Sequence, residues 1–502
     1  MRKPAMKVAA FVCVALVAAC SSSSTKAPAP AASSPAVSTS ASQATQRPAG
    51  PAATITAIAA AGTPYMGSAH PPVLQPSGYV QQEYIASGNA TAYRASGALA
   101  PDGRWTLDRS TTAAYRTRIL VRRPAKASAF SGNVIVEWLN VSSGADSDPE
   151  WASLNEEIER SGDAWVGVSA QRIGVEGGTV AVKVNVPGSE QAGKGLKALD
   201  PARYGTLVHP GDGYSFDIFT QVARALRSTD ALGGEAPKRL IAAGESQSAF
   251  AMVTYYDGVQ PLTQEFDGFF VHSRGAAPLP LVDAEKGADI ASAIGGKPTI
   301  FRTDQTAPVM DIQTETDVLS VLDSYAARQP DTDRFRLWEV AGTAHADAHL
   351  VGASATLFGC PLPINNGPMH VVAKSAFHAL KAWLSTGKAP VIAPRIDIAP
   401  GASPAIRRNA EGIALGGIRT PPVDVPVATL SGAPSPHPST ICLLAGSTKP
   451  FTAAQIAQLY PSRADYVKQF NSAADAAIKA GFVLAADRAA LLAYAEPQMI
   501  AG

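Results

Sequence analysis

The sequence predicts an α/β layer fold, and two observations carry that prediction. From residue 53 to about 395, apolar runs bounded by turn residues alternate with helical patterns, as they do where helices pack on a mostly parallel sheet. The chain has 502 residues, 46% of them hydrophobic, which is enough to bury the core of one large domain with additions.

Eight runs read as strands. "YVQQEYIASG" and "YRTRILVRRP" come first with no helix between them, which predicts an antiparallel opening pair. "NVIVEWLN", "AWVGVSAQ", "RLIAAGE", "FDGFFVHSR", "APVMDIQTE" and "FRLWEVAG" follow, separated by helical or long irregular segments. Together they predict a mostly parallel eight-stranded sheet with helices on both faces. In "SFDIFTQVARALRS", Phe216, Ile218, Phe219, Val222 and Leu226 recur near the helical period. "HVVAKSAFHALKAWLSTG" ends in a glycine where a C-cap belongs, with Pro390 soon after. Beyond it, residues from about 396 to 502 mix Pro- and Gly-rich chain with helical patterns such as "AADAAIKAGF". They read as a C-terminal extension of residues 53–502 rather than a separate domain, and no internal repeat is present.

The N-terminus has its own signature. Arg2, Lys3 and Lys7 precede an apolar run from Val8 to Ala19, the layout of a secretory signal too short to span a bilayer. It ends in "LVAAC", which resembles a bacterial lipobox and makes Cys20 the lipid-bearing first residue after cleavage of residues 1–19. The alternative is an ordinary signal cut at an Ala-rich site, leaving Cys20 a free thiol. Lipid chains contribute roughly 0.8 kcal/mol per buried CH₂, so a multiply acylated Cys20 would hold the protein on a membrane surface. Residues 20–52 are Ser, Ala, Pro, Thr and Gln with almost no large apolar side chain, a composition that reads as a tether. A formal net charge of +1 with 17% charged residues offers no footprint for nucleic acid. In an oxidising compartment Cys360 and Cys442 are candidates for a disulfide.

The stretch with the most chemistry is "RLIAAGESQSAF". Gly-x-Ser by itself is a weak signal, recurring at Gly167, Gly213, Gly352 and Gly401. A nucleophile elbow asks for an apolar strand before the serine, small residues two places to either side, and a helix after it. Ser246 meets all three, flanked by Gly244 and Ser248 and followed by "SAFAMVTYYDG". Ser248 stands where the usual pattern has glycine.

A serine hydroxyl needs a histidine to take its proton and a carboxylate to hold that histidine's tautomer. Of eight histidines, His345 in "FRLWEVAGTAHAD" follows the last strand, on the loop from which an elbow-bearing α/β fold of this kind is expected to supply its base. His349 lies one helical turn on, and "HADAH" also has metal-ligand spacing, but no third ligand is evident nearby and no metal or other cofactor is expected. His209 reads as a capping or loop residue, and His272, ending a strand, as a candidate to line the site. For the acid, Asp317 just past "APVMDIQTE" is favoured, with Glu315 as the alternative. The oxyanion donors are expected at the backbone of Gln247 and of Asn140, with Leu139 as the near alternative. Trp138 and Trp151 read as core rather than substrate contacts.

The order Ser246, Asp317, His345 is that of α/β-hydrolases. "VIVEWLNVSSGADSDPEW", "GVSAQRIGVEG", "RYGTLVHPGDGYSFDIF", "GESQSAF", "QTETDV" and "AGTAHAD" resemble the recurrent blocks of bacterial α/β-hydrolase domain-containing proteins. The resemblance runs from about residue 53 to about 495 and takes in "ICLLAGSTKPF", implying that the tail completes the same domain. It implies the α/β-hydrolase fold and a Ser/His/acid site at Ser246, His345 and Asp317 or Glu315, and leaves the substrate open. The function expected is hydrolysis of a small carboxylic ester by a lipid-anchored serine hydrolase. The alternatives are a peptidase on the same scaffold and a cell-surface binding protein that has lost activity.

Overall fold

The computed structural model describes residues 47–60, 62–184, 186–435 and 439–501. The calls on the signal, Cys20 and most of the tether lie outside these residues. The main sheet is built from β1 (Thr54–Ala57), β2 (Tyr79–Ala95), β3 (Leu107–Pro124), β4 (Asn133–Trp138), β5 (Ala164–Val168), β6 (Arg239–Glu245), β7 (Gly268–His272), β8 (Val309–Thr314) and β9 (Phe335–Val340). Its nine strands run in the order β1-β2-β3-β5-β4-β6-β7-β8-β9. Pairing is antiparallel from β1 to β5 and parallel from β5 onward.

All eight expected strands are present, and β1 corrects the count to nine. It escapes a pattern search because its side chains are mostly exposed. What holds it at the edge is the backbone ladder to β2, which leaves no hydrophobic signature.

The helices that matter for the site are α1 (Pro149–Ser161), α2 (Ser215–Ala225), α3 (Gln247–Thr254), α4 (Glu315–Leu319), α5 (Ala348–Val351), α6 (Met369–Thr386) and α7 (Arg463–Lys479). Strands covered on both faces are apolar along their whole length, and alternate residues divide between two cores. Val134, Val136 and Trp138 of β4 pack with α2 through Phe216, Phe219 and Val222 and with α3 through Ala251 and Met252. Ile135 points the other way, into a cluster with Trp151, Leu154 and Ile158 of α1 and Phe377, Leu380 and Trp383 of α6.

The C-terminal extension adds the small hairpins β10 (Ile398–Ala399) with β11 (Ala405–Ile406), and β12 (Ala428–Ser431) with β13 (Ser447–Pro450). Val425, Phe451, Tyr466 and Phe470 form its own apolar cluster, joined by Ala341 from just past β9. A bidentate ion pair from Arg160 of α1 to Asp487, at 2.8 and 2.7 Å, ties it to the main layers. Cys360 and Cys442 are joined in a disulfide.

Candidate active site

The chain turns from β6 into α3 in a single residue. Ser246 has φ 57° and ψ −120°, a region costly for a side-chain-bearing residue and characteristic of functional turns. A Cβ at Gly244 would sit 2.7 Å from the backbone carbon and oxygen of Ser248, so only glycine lets helix and strand approach this closely. Ser248 has a specific use: its hydroxyl donates to the Glu245 carbonyl at 2.7 Å and accepts from the Glu245 N–H at 3.2 Å, bracing the turn from within. The Ser246 N–H donates to the His272 carbonyl at 2.9 Å. Every residue from Leu240 to Gln260 is buried except Ser246.

His345 reaches this hydroxyl from the loop after β9, its Nε2 lying 2.8 Å from Ser246 Oγ. Its Nδ1 lies 2.7 Å from Asp317 Oδ1. An ionised carboxylate can only accept, so the proton belongs on Nδ1 and Nε2 accepts from the serine. Asp317 is fixed in turn, because it is the third residue of α4 and its Oδ2 accepts the Thr314 N–H at 2.6 Å in a capping box. The helix cap and the imidazole share one carboxylate.

Glu315, two residues earlier, faces elsewhere. Its Oε1 accepts from Arg408 at 2.6 Å and from the Gly432 N–H at 2.9 Å, and its Oε2 from the Gly342 N–H at 2.8 Å. It fastens the C-terminal extension to the sheet and does not contact His345.

Of the two expected oxyanion donors, the structure corrects Asn140. Gln247 opens α3, so its N–H has no carbonyl one turn back to bind. The Asn140 N–H instead donates to the Ser147 carbonyl at 3.0 Å, and that of Leu139 to Val168 at 3.2 Å. The loop folds back on itself in an isolated bridge between Asn140 and Ser147, which uses the donor that the sequence assigned to the ligand. The Asn140 amide donates to Glu245, at 3.0 Å to its carbonyl and 3.3 Å to Oε2.

This loop rests on two arginines that no sequence pattern singled out. Arg118 binds Asp146 and Arg122 binds Asp148, both at 2.6 Å and all four side chains buried. Arg122 also lies against the rings of both Trp151 and Trp165, 4.5 and 4.3 Å from their centroids, a pair of cation–π contacts that suits guanidinium. The signal available was basic residues inside the apolar run "YRTRILVRRP".

His349 does not approach Ser246: its Nε2 lies 3.1 Å from the Ala152 carbonyl, and its ring stacks 3.6 Å from that of His370. Among the described residues no three His, Cys, Asp or Glu side chains are placed to hold a metal. His209 caps a loop, 2.8 Å from the Ala170 carbonyl.

Burial pushes the His345 imidazole down, but the charges of Asp317 and Glu245 outweigh it and leave the pKa raised. Glu245, the residue before the serine, has Oε1 3.5 Å from His345 Nε2. Burial pushes its carboxyl up to about 7, against the pull of His345 and His272. Behind it, burial holds Glu150 well above the carboxylate range.

Ser246, His345 and Glu245 lie at the floor of a cavity of about 440 Å³. One wall is the loop after β4, with Asn140, Ser142, Ser143 and Ser147. The apolar part of the lining comes from Val182, Val184, Val351, Phe358, Ile441 and Leu444. The Cys360–Cys442 disulfide joins the two segments that carry Phe358 and Ile441.

A family model described as an alpha/beta hydrolase domain matches residues 45–493. The chain belongs to that family, and its fold is the α/β-hydrolase fold. No curated protein matches. Solved structures that resemble it include an α/β serine hydrolase without a lid from Xanthomonas campestris, at 14% identity over 50% of this chain and 83% of that one, with a TM-score of 0.25. Acetyl xylan esterase 1 from Thermoanaerobacterium sp. JW/SL YS485 is 10% identical over 57% of this chain and 81% of its own, TM-score 0.25. A glucuronoyl esterase from Solibacter usitatus is 9% identical over 67% and 76%, TM-score 0.24.

Proposed function

We propose that this α/β hydrolase cleaves carboxylic esters of small molecules through a Ser246-His345-Asp317 triad and an acyl-enzyme. The observation that carries the reading is the unbroken hydrogen-bond path from Ser246 Oγ through His345 to Asp317, at 2.8 and 2.7 Å, on a strained turn at a cavity floor. Ser246 Oγ attacks the acyl carbonyl while His345 Nε2 takes its proton. Asp317 holds the imidazole in the tautomer that can accept and offsets the charge it gains. The Gln247 N–H stabilises the tetrahedral oxyanion, a contact worth about 3–4 kcal/mol in related chemistry. His345 then protonates the leaving alcohol, and a water activated the same way releases the acid.

The reading extends to location. The "LVAAC" motif supports export and lipid attachment at Cys20, with residues 21–52 as the tether to the catalytic domain.

A fluorophosphonate probe, which labels serines activated in this way, tests the chemistry. Labelling of the wild type and none of Ser246→Ala is the expected result. Equal labelling of both sinks the assignment of Ser246, and labelling of neither favours an inactive scaffold.

A further inference from the structure

The walls of the cavity differ in polarity, but they agree in one respect. Among the described residues that line it there is no lysine and no arginine, while Asp148 and Glu245 both contribute. The charge of Asp148 is matched by Arg122 at 2.6 Å. Glu245 has no such partner: its side chain meets the Asn140 amide at 3.3 Å and His345 Nε2 at 3.5 Å. It precedes the nucleophile in the chain and lines the same cavity.

We propose that Glu245 is a specificity-determining residue that filters substrates by charge, admitting esters with uncharged or cationic groups and rejecting those bearing a carboxylate or phosphate near the reacting carbonyl. The inference rests on the ester-hydrolase reading and deepens it to a substrate class. A second negative charge about 6 Å from an ionised Glu245 meets a repulsion equivalent to about 100-fold at an effective dielectric near 20, and because the carboxyl can instead take up a proton near pH 7 the discrimination at pH 8 is limited to about tenfold. The apolar wall of Val182, Val184, Val351 and Phe358 adds to this, since it offers an anion no hydrogen-bond donor from its side chains.

The filter depends on pH. The charged or titratable groups around Glu245 are His345 from the loop after β9, His272 from β7, Glu150 from α1 and Asp317 from α4. Burial lifts Glu245 to about 7, so its charge, and with it the discrimination, grows as pH rises from about 6 to 8.5. A free substrate carboxyl, with a pKa of roughly 4, stays ionised throughout that range.

The experiment compares 4-nitrophenyl butyrate with 4-nitrophenyl hydrogen succinate, which differ chiefly in the terminal carboxylate. In wild type kcat/KM for the butyrate ester is expected to exceed that for the succinate by about tenfold at pH 8, and by little at pH 6. Glu245→Gln removes the charge and keeps the shape, and is expected to bring the ratio at pH 8 close to unity whatever it does to absolute rates. Ser354→Arg, on the cavity wall and clear of the triad, supplies a cation and is expected to raise succinate turnover relative to butyrate. A wild-type ratio within threefold of unity, or a ratio unmoved by Glu245→Gln, overturns the charge filter and leaves the hydrolase reading standing. Absence of turnover on both esters by folded, probe-labelled protein overturns the ester-hydrolase reading and the filter with it.

Discussion

Replacing Asp317 by Asn alters two hydrogen bonds at once. The carboxylate accepts from His345 Nδ1 at 2.7 Å through one oxygen and from the Thr314 N–H at 2.6 Å through the other. An amide has a single oxygen. If it stays on the helix cap, the amide N–H₂ turns to His345 and forces the proton onto Nε2, where it cannot receive the serine's. If it stays on His345, the Thr314 N–H is left facing a donor at a buried site, a cost of about 1–3 kcal/mol. The first arrangement is therefore favoured, and wrong-tautomer variants of this kind lose about 10⁴-fold in kcat, or about 5.4 kcal/mol. Glu315→Gln is the matched control. It loosens the bonds to Arg408, Gly342 and Gly432 without touching His345, and is expected to cost about 2–3 kcal/mol of stability while keeping activity within severalfold. Initial rates on a 4-nitrophenyl ester, with thermal unfolding of the same preparations, separate the two. The reasoning is refuted if Asp317→Asn keeps more than a tenth of wild-type activity, or if Glu315→Gln is the more damaging to kcat at a temperature where it is fully folded.

His345 must be neutral to act as a base, and its pKa is raised. Activity is therefore lost, as pH falls, at a pH above the ordinary imidazole value of about 6.5. Glu245→Gln removes one of the charges that raise it, so the acid limb of the kcat/KM profile is expected to move to lower pH; an upward shift contradicts the assignment. The disulfide closes a loop between residues 82 apart, and the double variant Cys360→Ala/Cys442→Ala is expected to lose up to about 4 kcal/mol of stability. KM is also expected to rise for longer acyl esters that reach Phe358 and Ile441, and an unchanged melting temperature together with an unchanged KM counts against both effects. Lipid attachment predicts that wild type enters the detergent phase on Triton X-114 partitioning and that Cys20→Ala does not; a Cys20→Ala variant that still partitions into detergent argues against the lipobox.

Strand positions were legible because each buried run is apolar on both faces and punctuated by turn residues, as in "NVIVEWLN" and "RLIAAGE". The elbow was legible for a related reason. Gly244 and Ser248 sit two residues from Ser246, and the crowding that requires them to be small is local, within 2.7 Å along the same short stretch of chain. Those features depend on neighbours in sequence, and a sequence records its neighbours.

The choice between Asp317 and Glu315 had no such record. They lie two residues apart at the head of α4, pointing to different sides, and what separates them is which partner waits there: His345 for one, Arg408 and Gly432 for the other. Asn140 illustrates the same limit, since its N–H was assigned to a ligand until Ser147, seven residues on, folded back and took it. The sequence alone determined the sheet order's raw material, the strained serine and its small neighbours, because periodicity and steric need are local. Tertiary structure decided which carboxylate holds the imidazole, which arginines support the loop and what charge lines the cavity, because those follow from groups brought together across the sheet from distant parts of the chain.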